Sequence, residues 1–228
     1  MAPAPSVKPR LVLFDLDNTL LTGDSDVLWC DFLMDEGVLD RAQFAARNDD
    51  MEARYKAGTV SAQEFAGFYL ETVQGRTPQS LEDLRQRFLR EVVAPRISAD
   101  AKELVRNHRQ AKELCVITTA TSRFITELTA EHLGVEHLIA IEPEIVEGRF
   151  TGRADGVLNM REGKVTRLHA WLHARGEQLQ DYASVAYSDS INDKPLLEAV
   201  DEAVAVDPDP KLLALATERG WRVMRFAR

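Results

Sequence analysis

Residues 11–19 read Leu-Val-Leu-Phe-Asp-Leu-Asp-Asn-Thr. The four leading apolar residues form a short run of the kind that makes a buried strand. Two carboxylates, Asp15 and Asp17, follow where that strand runs out. In an open α/β sheet, ligands bind in the crevice outside the carboxyl ends of the strands. Carboxylates this close repel each other. They tolerate the proximity when a divalent cation lies between them, or when one stays protonated. A strand end also favours Asp and Asn because these residues make turns, so the pair takes its meaning from the rest of the chain.

The chain has 228 residues, 45% of them hydrophobic, and a formal net charge of −9. This length admits one large domain or a domain with an insertion. The acidic residues are spread along the sequence, which argues against a nucleic-acid partner, since that needs a basic face. No apolar run approaches the ~20 residues that span a membrane. Residues 1–9 hold three prolines and no apolar segment, and they read as a disordered tail rather than a signal peptide. Cys30 and Cys115 fall in apolar stretches without metal-ligand spacing, as expected of reduced thiols in a cytoplasmic protein. His169 and His173 are four residues apart, but residue 170 is Ala where a zinc motif would carry Glu, and no third ligand is evident.

Residues 23–94 carry helical signals and no convincing strand. Helices are predicted over 26–36, 40–57, 61–74 and 78–93, ended by Gly37, Gly58, Gly75 and Pro95. Ser61 and Glu64 have capping-box spacing. Four helices in a row suggest a small bundle. Beyond Pro95 the pattern alternates. Helices are predicted over 98–110, 122–133, 163–175, 193–200 and 209–219, and strands over 114–118, 138–141, 184–187, 203–206 and 221–226. A hairpin is predicted across 144–158, with turn signals at Glu147-Gly148 and Asp155-Gly156. The fold class is therefore α/β: a doubly wound, mainly parallel, Rossmann-like core with an inserted α-helical bundle cap and a small β-hairpin. The core spans residues 10–22 and 95–228, and the cap spans 23–94. The insertion begins just after the acid pair, so the cap would hang over it as a lid.

Other predicted strand ends also carry polar groups. Thr118, Thr119 and Thr121 precede a helix, and they read either as a phosphate cradle or as an ordinary helix cap. Asp189, Asn192 and Asp193 follow Val185-Ala-Tyr187, just before Lys194-Pro195 opens a helix. Lys164 begins another helix after Gly163. The order along the chain is acid pair, hydroxyl, lysine, acid pair.

On these residues the chain resembles the haloacid dehalogenase superfamily of aspartyl-nucleophile phosphatases. Asp15-x-Asp17-x-Thr19, Thr119, Lys164 and Asp189-Ser190-x-x-Asp193 match its four motifs in order and spacing, over nearly the whole chain. Gly148-Arg-Phe-Thr-Gly152, Tyr187-Ser-Asp-Ser-Ile-Asn-Asp193 and Ala205-Val-Asp-Pro-Asp209 are similar to signatures of its subfamily IB, the phosphoserine-phosphatase-like branch that includes histidinol-phosphate phosphatases. The resemblance implies a Mg²⁺-dependent phosphomonoesterase that acts on a small phosphorylated metabolite through an aspartyl-phosphate. Asp15 would be the nucleophile. Asp17 would protonate the leaving alcohol and then deprotonate water. Mg²⁺ would be held by Asp15, the Asp17 backbone carbonyl and Asp189, an all-oxygen set. Thr119, the N–H of Ala120, Lys164 and Asn192 would meet the phosphoryl group or substrate, with Thr19 and Asp193 in support. The dehalogenases of the superfamily lack the second Asp of the first motif, so Asp17 favours phosphoryl chemistry.

The cap should choose the substrate. Asp24 matches the position where phosphoserine phosphatases carry an acid for the substrate amine. Asp24 or Asp26 equally suits a helix N-cap. An ungapped comparison from Gly58 puts an apolar residue, near Phe68, where those phosphatases carry an arginine for the substrate carboxylate. That change favours histidinol phosphate, which has an amine and a flat imidazole but no carboxylate, and it places the chain in amino-acid biosynthesis. Phosphoserine is the alternative substrate, and a catalytically weak phospho-ligand-binding regulator is the alternative class. The sequence implies no oligomeric state.

Overall fold

The structure is a computed structural model that describes residues 8–227. The tail expected over residues 1–9 lies outside the described residues except for Lys8 and Pro9. Seven strands, β1 (Arg10–Phe14), β2 (Leu114–Ser122), β3 (His137–Val146), β4 (Arg149–Asp155), β5 (Ala183–Ser188), β6 (Glu202–Val206) and β7 (Arg222–Met224), form one sheet in the order β4-β3-β2-β1-β5-β6-β7. Every neighbouring pair is parallel except β3 and β4. β1 is central, paired with β2 on one side and β5 on the other. The chain winds outward from it in both directions, so the topological switch point lies at its carboxyl end.

Period-two alternation assigns the two faces of β1. Val12 and Phe14 pack against α5 (Ala99–Gln110) and α6 (Arg123–Leu133) through Val105, Phe124 and Leu133. Leu11 and Leu13 pack against α7 (Glu162–Ala174), α8 (Lys194–Ala199) and α9 (Pro210–Arg219) through Leu168, Leu196 and Leu212. With both faces covered, each position from Leu11 to Phe14 is apolar and buried, as parallel sheets require.

The insertion contains α1 (Ser25–Asp35), α2 (Arg41–Ala57), α3 (Ala62–Leu70) and α4 (Glu82–Phe88). Asp24, Asp40 and Ser61 cap the first three through side-chain oxygens. Helix α1 has two working faces. Trp29, Phe32 and Leu33 join the cluster that covers the sheet. Cys30 and Met34 join Phe44, Met51, Phe65, Tyr69 and Met160 in a separate cap cluster. The single helix expected over 78–93 is broken: a 3₁₀ turn at Pro78–Leu81, α4, a π-helical turn at Leu89–Val93 and a second 3₁₀ turn at Ala94–Arg96. Pro95 supplies the reason, since it has no N–H to donate and its ring crowds the carbonyl four residues back. This segment lies on core helix α6, with Arg85 3.3 Å from Glu127 and stacked over Phe124 at 4.8 Å.

The predicted hairpin is β3–β4, and its first strand is the outer half of β3. Glu147 and Gly148 both have positive φ, 51° and 74°, as a two-residue type I′ turn demands. β2 runs past its predicted end at Thr118 to Ser122, with a register shift against β3 in between.

Candidate active site

The carboxyl ends of β1, β2 and β5 and the start of α7 converge on a cleft of about 470 Å³. Asp15 leaves β1 with its N–H donated to the Tyr187 carbonyl (2.9 Å). The chain then turns on the Leu16 carbonyl, which accepts from Thr19, Leu20 and Leu21, with Asn18 in the left-handed region at φ 58°.

Lys164 is the hub. It is 2% exposed, and its Nζ donates to Asp15 Oδ1 and Asp193 Oδ2, both at 2.7 Å. Burial opposes its charge, but the two carboxylates outweigh burial and raise its pKa. An ammonium has three N–H bonds, so one remains for a ligand oxygen. Ser188 Oγ also donates to Asp193, at 2.8 Å.

Thr19 Oγ1 lies 2.9 Å from Asp15 Oδ2 and 3.0 Å from Asp189 Oδ1, and it accepts the Asp189 N–H at 3.0 Å. Its single proton can serve only one of the two carboxylates at a time. Burial pushes Asp15 up to about 7 against the opposing pull of Lys164. Burial, with the charges of Asp15 and Asp193, pushes Asp189 well above the usual carboxylate range.

Asp17 points elsewhere. Its Oδ1 accepts from Ser25 N at 2.7 Å and from the Ser25 hydroxyl. Its Oδ2 accepts from Thr121 Oγ1 at 2.8 Å and Thr119 Oγ1 at 3.2 Å. One carboxylate thus links the first residue of α1 to the end of β2. Thr119 itself is fully buried. Ala120 and Thr121, not Thr119, face the cleft, as do Asp24, Lys164, Asp189, Asn192 and Asp193.

Asp24 both caps α1, accepting from Asp26 N (2.9 Å) and Val27 N (3.2 Å), and lines the cleft. Burial and the Asp17 charge raise it to about 8, despite those two N–H bonds. Asp26 is buried beside it and is raised well above its ordinary range by burial and by Asp24.

From the cap, Tyr55 and Phe65 line the cleft with their rings 4.4 Å apart. The Tyr55 phenol is held above its usual range by burial and by the charges of Asp193, Asp24, Asp15 and Asp189. No sequence motif marks either residue. Both lie far along the chain from the four site motifs, and the packing of α2 on α3 brings them together. Phe68, expected near the substrate, instead stacks on Phe44 at 5.1 Å under the Arg47 guanidinium, on the far side of the cap. No arginine lines the cleft among the described residues. His169 and His173 are exposed on α7, away from it.

A family profile described as haloacid dehalogenase-like hydrolase matches residues 12–198. The chain belongs to that family. The hydrolase is 37% identical over 219 residues to a histidinol-phosphatase of Neisseria meningitidis, covering 95% of this chain and 99% of that one. It is 31% identical to phosphoserine phosphatase SerB1 of Mycobacterium tuberculosis, over 93% of this chain and 70% of that one. A crystal structure of a Bordetella pertussis protein of unknown function superposes with a TM-score of 0.91 at 44% identity, covering 96% of this chain and 99% of that one. The hydrolase thus stands on the phosphoserine-phosphatase-like branch and is a phosphoric monoester hydrolase. Among the described residues no helix is long and apolar enough to cross a membrane.

Proposed function

We propose that this phosphatase is Mg²⁺-dependent, works through an aspartyl-phosphate on Asp15, and takes histidinol phosphate as its preferred substrate. The observation that carries the chemistry is the buried Lys164 bridging Asp15 and Asp193, with Asp189 sharing the Thr19 hydroxyl across from Asp15.

The residues fit Mg²⁺. Asp15 is buried and Asp189 half-buried, both carboxylates are raised and both lie near one hydroxyl proton, and every donor is an oxygen, as a hard cation prefers. The Asp17 backbone carbonyl would complete the set with these two carboxylates. The cleft is lined by seven aspartates and three lysines, so a doubly negative phosphate needs a further positive charge. Bound there, Mg²⁺ supplies charge neutralisation and in-line orientation of the phosphoryl group.

Asp15 attacks phosphorus, and the spare N–H of Lys164 holds a phosphoryl oxygen. Ala120 and Thr121 line the same cleft, with the Thr121 hydroxyl donated to Asp17. Asp17 must exchange one of its four donors for the leaving oxygen before it can give that oxygen a proton and later take one from water. On the leaving-group side, Asp24 receives an ammonium, and Tyr55 with Phe65 offers a flat wall for an imidazole. The lack of a cleft-lining arginine among the described residues, and the likeness to the histidinol-phosphatase of Neisseria meningitidis, favour histidinol phosphate over phosphoserine. Lid residues 23–94 would close over the substrate, and the enzyme would act in the cytoplasm in amino-acid biosynthesis.

The test is turnover of histidinol phosphate, O-phosphoserine and p-nitrophenyl phosphate with and without Mg²⁺. We expect all turnover to stop in EDTA, and kcat/KM for histidinol phosphate to exceed that for phosphoserine at least tenfold. Faster hydrolysis of phosphoserine would reverse the substrate assignment. No hydrolysis of any of the three would favour a phospho-ligand-binding regulator.

A further inference from the structure

Asp209 opens α9, and a plain N-cap would occupy one of its oxygens. Oδ1 does this, accepting from Lys211 N and Leu212 N, both at 2.8 Å. The second oxygen reaches out of the helix. Oδ2 accepts the N–H of Ile191 at 2.7 Å, and the Asp209 backbone N–H donates to the Asp189 carbonyl at 2.8 Å. The turn that carries Asp189 is thus held at two points by one residue of a different element. Asp189's other described anchor is the Thr19 hydroxyl. Asp207 and Pro210, on either side of Asp209, line the cleft, so the tether sits at the wall of the site.

We propose that Asp209 is a positioning residue that fixes the 189–192 turn and so sets the Asp189 carboxylate opposite Asp15 for the metal. This rests on the Mg²⁺ reading above. Groups that orient a metal ligand typically change affinity 10–100-fold when removed.

The two roles of Asp209 separate by substitution. An asparagine is as good a cap as an aspartate, but it has one acceptor oxygen and two N–H donors in place of two acceptors. In Asp209→Asn, either the cap pair or the Ile191 N–H must lose its acceptor, and keeping the two cap bonds turns an NH₂ toward Ile191. Ser98→Ala is the control, because Ser98 Oγ caps α5 through Ala101 N at 3.1 Å and is not among the residues lining the cleft. Calorimetric Mg²⁺ titration of both variants and the wild type is the first measurement, and hydrogen exchange of the amides of residues 189–193 in metal-free protein is the second.

We expect Asp209→Asn to weaken Mg²⁺ at least tenfold and to speed exchange in the turn, while Ser98→Ala lowers Tm and changes neither. Mg²⁺ affinity within twofold of wild type in Asp209→Asn overturns the proposal. Should the wild type itself take up no Mg²⁺, the metal reading is what fails, and exchange alone then decides: faster exchange upholds the tether and unchanged exchange refutes it.

Discussion

Lys164 ties its neighbours together so closely that single changes around it have separable outcomes. Asp15→Asn keeps the size of the side chain and leaves Lys164 its bond to Asp193, so the fold should persist with an unchanged circular dichroism spectrum. Its kcat should fall at least a thousandfold, about 4 kcal/mol of barrier. Retention of a tenth of wild-type turnover would rule out attack by this carboxylate. Asp24→Asn probes the other end of the cleft. Asn caps α1 as well as Asp does, but it has no carboxylate to pair with an ammonium. KM for histidinol phosphate should rise about ten- to a hundredfold, the scale of a buried charge-assisted bond. KM for p-nitrophenyl phosphate, which has no amine, should stay within twofold. Equal effects on both substrates would remove Asp24 from recognition.

Between β4 and α7 the backbone itself is the constraint. A Cβ placed on Gly163 would lie 2.0 Å from the Leu158 carbonyl oxygen, and Gly163 immediately precedes Lys164. Gly163→Ala should therefore cost about 1–3 kcal/mol of stability, as overpacking does. It should also lower kcat, because the displaced backbone carries the lysine. A variant with wild-type Tm by calorimetry would show that the turn relaxes freely. The same scale shows what the sequence could tell. The order of strands and helices was legible because the parallel strands hold short apolar runs and helix ends carry Gly, Ser and Asp. Asp15, Lys164, Asp189 and Asp193 stood at element ends and do converge. The break at Leu89–Val93 needed the reach of Pro95 back along the helix. The exchange of Thr119 for Thr121 at the cleft depended on a register shift in β2, which no local pattern encodes. The second bond of Asp209 joins two loops, so from sequence it read only as a signature residue before Pro210.

The whole molecule carries a net charge of −9 and concentrates buried carboxylates at one place. An unfolded Asp titrates near 3.9, whereas Asp15 and Asp24 stand at about 7 and about 8 in the fold. Between about pH 4 and 8 the folded state therefore binds more protons than the unfolded one, and stability falls as pH rises, by up to ~1.4 kcal/mol per pH unit for each such proton. In differential scanning calorimetry the metal-free protein should have a higher Tm at pH 5 than at pH 8. Asp24→Asn should shrink that difference, and saturating Mg²⁺ should raise Tm more at pH 8 than at pH 5. A Tm that climbs from pH 5 to pH 8 without metal would show that these carboxylates ionise freely.

The central place of β1 has a consequence for biosynthesis. Leu11 pairs with Leu114 on one side and Ser184 on the other, yet it leaves the ribosome long before either. At about 5–20 residues per second, its second neighbour follows roughly 10–35 s later. For that interval an almost wholly apolar strand keeps at least one edge open. The helices of the insertion can form meanwhile from local contacts, but β1 cannot. Truncation anywhere ahead of β5 should leave a chain that chaperones hold or that aggregates, so what such a deletion removes is the ability to fold, before any question of catalysis arises.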